Sequence, residues 1–179
     1  MFGGGDPEWQ ADLARIGEKR ALLKEQSLWA IWVYRFGRRT DRLRPGIGKD
    51  INLFAYWFLF RTVETLIGIS LPKSCVIGKG LRIWHFGGIF VNGSVVMGEN
   101  CTLRQGVTIG NRHEGGASPV LGNNVELGAY AQILGHVRVG NYCRIGAMAV
   151  VLTDVPDGAT AVGQPARIVK HVPVSIACE

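Results

Sequence analysis

The chain has 179 residues, 47% hydrophobic and 19% charged, too apolar for a disordered chain and long enough for one domain with a small appendage. Its 25 glycines are about twice the usual share, yet they do not recur every third residue and prolines number 7, which excludes collagen. The net charge is +6, with six bases against one acid between Arg35 and Lys49, and no nucleic-acid-binding motif accompanies that run.

Asp6-Pro7-Glu8 reads as a helix start: a capping carboxylate, a proline at the first helical position and an early acid. Trp9, Leu13, Ile16, Leu22 and Leu23 continue an imperfect apolar stripe that Gly17 weakens. Ser27 can cap a second segment that runs through Phe36 and stops at Gly37. After a basic loop with Pro45, Gly46 and Gly48, Asp50 can cap a helix to about Ile67, ended by Gly68. Residues 1–70 are thus predicted to be a helical region. Its aromatic content, from Trp29 to Phe60, exceeds what a short helical segment buries alone, so it should pack on the other half, on another subunit or on a membrane surface.

From Val76 the period changes to six. Aliphatic residues recur at Val91, Met97, Leu103 and Ile109, then at Leu121, Leu127, Ile133, Val139, Ile145 and Val151. A second set, at Val95, Cys101, Val107, Val125, Ala131, Val137, Cys143 and Ala149, keeps a fixed phase to the first. Six matches neither a helix nor a simple hairpin; it matches hexapeptide repeats, in which three short strands and three turns close a triangular coil of about 18 residues. Two breaks interrupt it. Val91 follows Ile83 by eight, so two extra residues enter around His85-Phe86-Gly87-Gly88, and the signature lapses again between Gly110 and Pro119. A regular prism has no use for such breaks, so function is expected there.

The four cysteines show no metal-ligand spacing and make no disulfide framework. The N-terminus is not a signal peptide, and the apolar run Leu53–Phe60 is far short of the ~20 residues that span a bilayer. A cytoplasmic protein is expected, with peripheral contact at the inner face of the membrane through the basic loop and helices.

Residues 76–169 resemble the serine acetyltransferase branch of the hexapeptide acyltransferases. The resemblance rests on Ile77-Gly78-Lys79-Gly80-Leu81, His85, Gln105 to Gly110, Gly128-Ala129, Ile133-Leu134-Gly135, Asp154-Val155-Pro156 and Val162 to Val169. It implies a left-handed parallel β-helix over residues 71–170, a tail at 171–179, and a homotrimer binding acetyl-CoA between subunits. Four polar groups of that branch's serine site are missing: Trp84 stands where an aspartate precedes the catalytic histidine, Ser70 aligns with a second aspartate, and Ala117-Ser118-Pro119 replaces Arg-His-Pro. The phrases Leu28-Trp29-Ala30, Arg35-Phe36-Gly37, His85 to Gly88 and Leu103 to Asn111 are similar to the short acetyltransferases of capsule and exopolysaccharide synthesis, of the colanic acid type. That likeness implies O-acetylation of a sugar hydroxyl on a free or lipid-linked saccharide, with serine as the alternative acceptor.

Transfer from a thioester to an alcohol needs a base near neutral pH, and histidine supplies one. The resemblance places the base at His85 and the cofactor at Gly110, Asn111, Ala129, Arg144, Ala147 and Arg167; acceptor contacts are expected at Trp84, whose aromatic face can stack on a sugar ring, and at His113 and Ser118 of the interrupting loop. Ser70, Glu99 or a backbone carbonyl would orient His85. His136 and His171 read as structural or exposed. Cys101 and Cys143 fall on the small-residue positions of the lattice and read as buried rather than as acyl-enzyme nucleophiles, so direct transfer in a ternary complex is expected. No metal is expected: a zinc hydratase like the γ-class carbonic anhydrases needs three convergent ligands, which His85, His113 and His136 do not offer. The intact base position argues against a non-catalytic trimeric scaffold.

Overall fold

The computed structural model describes residues 6–17 and 21–171. Cys178 and nearly all of the predicted 171–179 tail lie outside them. Four helices come first: α1 (Pro7–Ala14), α2 (Ala21–Lys24), α3 (Ser27–Asp41) and α4 (Ile47–Ile67). Asp6 caps α1 by accepting from the Glu8 and Trp9 amides. Gly68 ends α4 in the left-handed conformation, its N–H returning to the Glu64 carbonyl.

Three expectations for the helices are corrected. Ser27 does not cap α3; the cap position is Gln26, and the Ser27 hydroxyl donates to the Ile83 carbonyl at 3.1 Å. Gly37 does not stop α3. It lets α4 approach, because a Cβ there would lie 2.5 Å from Tyr56 Cε2. The α4 helix starts three residues before Asp50, which sits in its first turn and complements the helix dipole. Gly37→Ala is accordingly expected to lower stability by roughly 1–3 kcal/mol, read by thermal melting, although alanine is by far the better helix former.

Fifteen short strands follow, wound into about five coils with three flat faces. Face A stacks β1 (Ile69–Ser70), β4 (Ile89–Val91), β7 (Thr108–Gly110), β10 (Gln132–Leu134) and β13 (Val150–Val151). Face B stacks β2 (Val76–Ile77), β5 (Val96–Met97), β8 (Val120–Leu121) and β11 (Arg138–Val139). Face C stacks β3 (Arg82–Trp84), β6 (Thr102–Arg104), β9 (Glu126–Leu127), β12 (Arg144–Ile145) and β14 (Ala159–Val162), closed by β15 (Arg167–His171). All pairings are parallel except β14–β15. The coil begins at Ile69 and its last strand ends at His171.

The six-residue lattice is the core. Both of its aliphatic and small-residue sets are buried along the prism axis. At the corners, residues in left-handed backbone align coil on coil; Gly88, Gly106, Tyr130 and Met148 form one such column between faces C and A. The helices attach at the first-coil end of the prism. Buried Arg35 donates to Asp12, to Glu8 and to the carbonyls of Ile77 and Gly78, and Asp12 also accepts from the Leu81 amide. Beside it the Tyr34 hydroxyl accepts from the Ile77 amide and donates to the Cys75 carbonyl; burial pushes that phenol up to about 12.

Candidate active site

Strand register locates both breaks. Trp84 pairs with Arg104, 20 residues on, whereas Phe90 pairs with Thr108, 18 on. The Gly106 amide donates to the Gly87 carbonyl, so Gly88 already stands level with Gly106. The two surplus residues are therefore His85 and Phe86. They bulge from the corner between faces C and A, and His85 adopts φ +64. Trp84, His85 and Phe86 are all exposed there. Among the described residues, none of the amides of 85 to 88 donates to a neighbouring coil. The last turn of α4 braces this corner: Gly68 packs on Gly87 and Gly88, and its carbonyl accepts from the Ile89 amide.

The second break lies elsewhere. Thr108 pairs with Gln132, 24 residues on, and the six extra residues form a loop at the corner between faces A and B. Arg112 fastens this loop by donating to the Leu134 and Leu152 carbonyls. The loop base is closed by Ser118 donating to Asn92, Asn92 to Asn111, and Asn111 to the His113 carbonyl.

The predicted site residues fall into two groups within one chain. Ala129 and Ala147 stack in the corner column beside His85, above Gln105 and Gly87, while Trp84 precedes His85 on face C. Gly110, Asn111, His113 and Ser118 belong to the opposite edge of face A, as does His136 at the next coil's corner. Arg144 is exposed on face C, 3.5 Å from Glu126, and Arg167 is exposed on β15. Of the expected orienting groups, Glu99 is excluded within the chain, since it lies at the corner between faces B and C, 3.6 Å from Lys79. Ser70 is on face A beside Phe90.

Two residues beside His85, Phe86 and Gln105, lie in stretches that carry the resemblances, which assign them no role of their own. Phe86 follows His85 in the bulge and is exposed. Gln105, level with the bulge, has a buried Oε1 with no hydrogen-bond donor among the described residues. Only coil register, not periodicity, brings it there. Trp84 itself is held by the Arg82 guanidinium, 3.7 Å above its ring centre.

The cysteines of the core are unsuited to attack. Burial pushes the Cys101 thiol up to about 11 and the Cys75 thiol up to about 12, and raises Cys143. All three stay protonated at neutral pH. Cys101→Ala is thus expected to leave kcat within about two-fold of the parent, and dithionitrobenzoate should label none of the three before unfolding. No group of three or more His, Cys, Asp or Glu lies together among the described residues.

Residues 118–153 match the family model of bacterial transferase hexapeptide repeats. A serine acetyltransferase of Helicobacter pylori J99 is 34% identical over 166 residues, covering 89% of this chain and 91% of that protein. A putative colanic acid biosynthesis acetyltransferase, WcaB of Escherichia coli K12, is 43% identical over 112 residues, 62% of this chain and 69% of that one. Among solved structures, the soybean serine acetyltransferase apoenzyme superposes with TM-score 0.79 at 30% identity, covering 92% of this chain and 70% of that chain. A serine acetyltransferase complex with CoA gives TM-score 0.74 at 28% identity, over 90% and 68%. The chain belongs to the hexapeptide-repeat transferases. It is an acetyltransferase of the serine acetyltransferase type.

The relatives weigh against the sequence expectation in one respect. Those named for serine include one aligned over 89% of this chain, whereas the polysaccharide relative is aligned over 62% of it.

Proposed function

We propose that the protein transfers the acetyl group of acetyl-CoA directly to a hydroxyl of a small-molecule acceptor, with His85 as general base. The observation that carries this reading is the two-residue bulge, which lifts a histidine out of an otherwise regular coil corner beside unengaged backbone amides. A neutral imidazole nitrogen takes the hydroxyl proton as the oxygen attacks the thioester carbonyl carbon. The resulting oxyanion is held by the free amides of residues 85 to 88. Collapse breaks the carbon–sulfur bond, and the imidazolium returns its proton to the departing CoA sulfur. Gln105 Oε1 is the acceptor available to steady the other ring nitrogen.

The catalytic unit in this reading is a homotrimer. Within one chain the His85 corner and the 111–117 loop sit on opposite edges of face A, and packing subunits side by side brings one chain's loop to the next chain's histidine. The exposed valine ladder of face B (Val76, Val96, Val120) supports such packing. The small column of Ala129 and Ala147 lets the pantetheine arm lie along the coils. Gly110 and Asn111 meet it from the loop side, and Arg144 and Arg167 meet the CoA phosphates.

Serine is the first reading of the acceptor, on the strength of the relatives named for it. A sugar hydroxyl is the second, favoured by the site itself. Trp84 and Phe86 flank the base as faces for a sugar ring. The outer positions of the strands beside the bulge (Ser70, Arg82, Arg104, Phe90, Thr108) include no carboxylate to hold an ammonium group. Free-thiol release from acetyl-CoA with L-serine or with saccharides separates the two: saturation by serine and silence with saccharides removes the second reading, and the converse removes the first.

A further inference from the structure

The α4 helix is apolar on two opposite faces. Tyr56, Phe60, Val63 and Ile67 are buried inward. Ile47, Ile51, Phe54 and Phe58 recur at i, i+4, i+7 and i+11, which places them on one side of the helix, pointing outward. They are strongly exposed, Ile47 at 80% and Phe54 at 77%. Trp57 and Leu66 widen the patch, and it runs into an apolar groove of about 630 Å³ lined by Trp32, Val33, Leu59 and Leu66. A helix apolar on both faces is normally covered on both, and a patch of this extent marks an interaction surface.

Charge indicates what covers it. At the N-terminal end of the stripe stand exposed Arg39, Arg42 and Arg44, with Lys49 in the first turn of α4. Asp41 is committed to Lys73 and Arg42 is paired with Glu8 at 3.4 Å, so Arg39, Arg44 and Lys49 are left without an ion-pair partner among the described residues. A second copy of this chain offers no counter-charge. Paired antiparallel, the basic end would meet Arg61 and Glu64, already joined to each other at 2.9 Å; paired parallel, it would meet itself.

We propose that this face docks on an anionic phospholipid surface, with Ile47, Ile51, Phe54 and Phe58 entering the interface and the basic turn meeting the headgroups. The docking does not rest on the acetyltransferase reading. The test is co-sedimentation of the full chain with vesicles of equal parts phosphatidylglycerol and phosphatidylcholine, and with phosphatidylcholine alone. Partition into the anionic vesicles is expected to exceed that into neutral ones by about ten-fold or more and to fall as salt is raised. The Phe54→Ser/Phe58→Ser pair should lose it by about ten-fold or more while acetyl transfer in solution is unchanged, and Arg39→Glu/Arg44→Glu should abolish the preference for anionic lipid. Equal partition into both vesicles, or binding untouched by the phenylalanine pair, overturns the proposal. So does analytical ultracentrifugation in which the phenylalanine pair dissociates an oligomer, since a second copy would then be the occupant.

Discussion

His85→Asn is expected to lower kcat for acetyl transfer by about 10²–10⁴-fold, the contribution of a positioned general base. The KM for acetyl-CoA should change little, because the proposed mechanism has the imidazole act on the acceptor hydroxyl. Asparagine is the informative replacement. His85 has φ +64, a region that asparagine enters more readily than most side chains, so the bulge keeps its shape while the base is lost. His85→Ala should show the same loss of kcat together with a slightly lower melting temperature. The bulge is exposed and makes no coil-to-coil amide bonds, so neither variant should unfold the coil. A loss of folding instead of rate would assign His85 a structural part.

Arg35→Met is expected to destabilise the fold by about 3–5 kcal/mol, read from urea denaturation with an unchanged slope. Arg35 is 2% exposed and joins three elements: Asp12 in α1, its own helix α3, and the Ile77 and Gly78 carbonyls of the first coil. Removing it strands a buried carboxylate and two carbonyls, and a half-satisfied network costs more than an apolar one. Asp12→Leu combined with Arg35→Met should therefore recover part of the loss, because no buried charge is then left alone. The Arg61–Glu64 pair on α4 makes the contrast. It is solvent-exposed on the arginine side and spaced three residues apart, so breaking it should cost well under 1 kcal/mol.

The sequence made the coil legible because its geometry is local and repeated. A residue such as Leu103 or Ile133 declares its burial by recurring every six, and the breaks in that period marked both loops without any contact information. The helical half was less legible. Gly37 has the sequence signature of a helix stop, but the tyrosine ring that makes a glycine necessary there comes from Tyr56 in the next helix. Ser27 looks like a cap and instead serves Ile83, far along the chain. Arg35 counts in the sequence as one of six bases between residues 35 and 49, and in the fold it is the buried link between the two halves. At the site, His85 and its bulge were readable from period and resemblance. The separation of His85 from the 111–117 loop was not, since it depends on which corner of a triangle each break occupies. Strand register alone supplied that, and the same register brought Gln105 beside the bulge and removed Glu99 from it.

Direct acetyl transfer is tested most plainly by mass spectrometry of a single incubation. The protein, acetyl-CoA and an acceptor hydroxyl, either serine or a saccharide, are mixed, and both acceptor and protein are weighed. One acetyl ester on the acceptor and none on the protein, lost together in His85→Asn, is the predicted result. An acetyl group retained on the protein, or an acceptor acetylated as well by His85→Asn as by the parent, would contradict it.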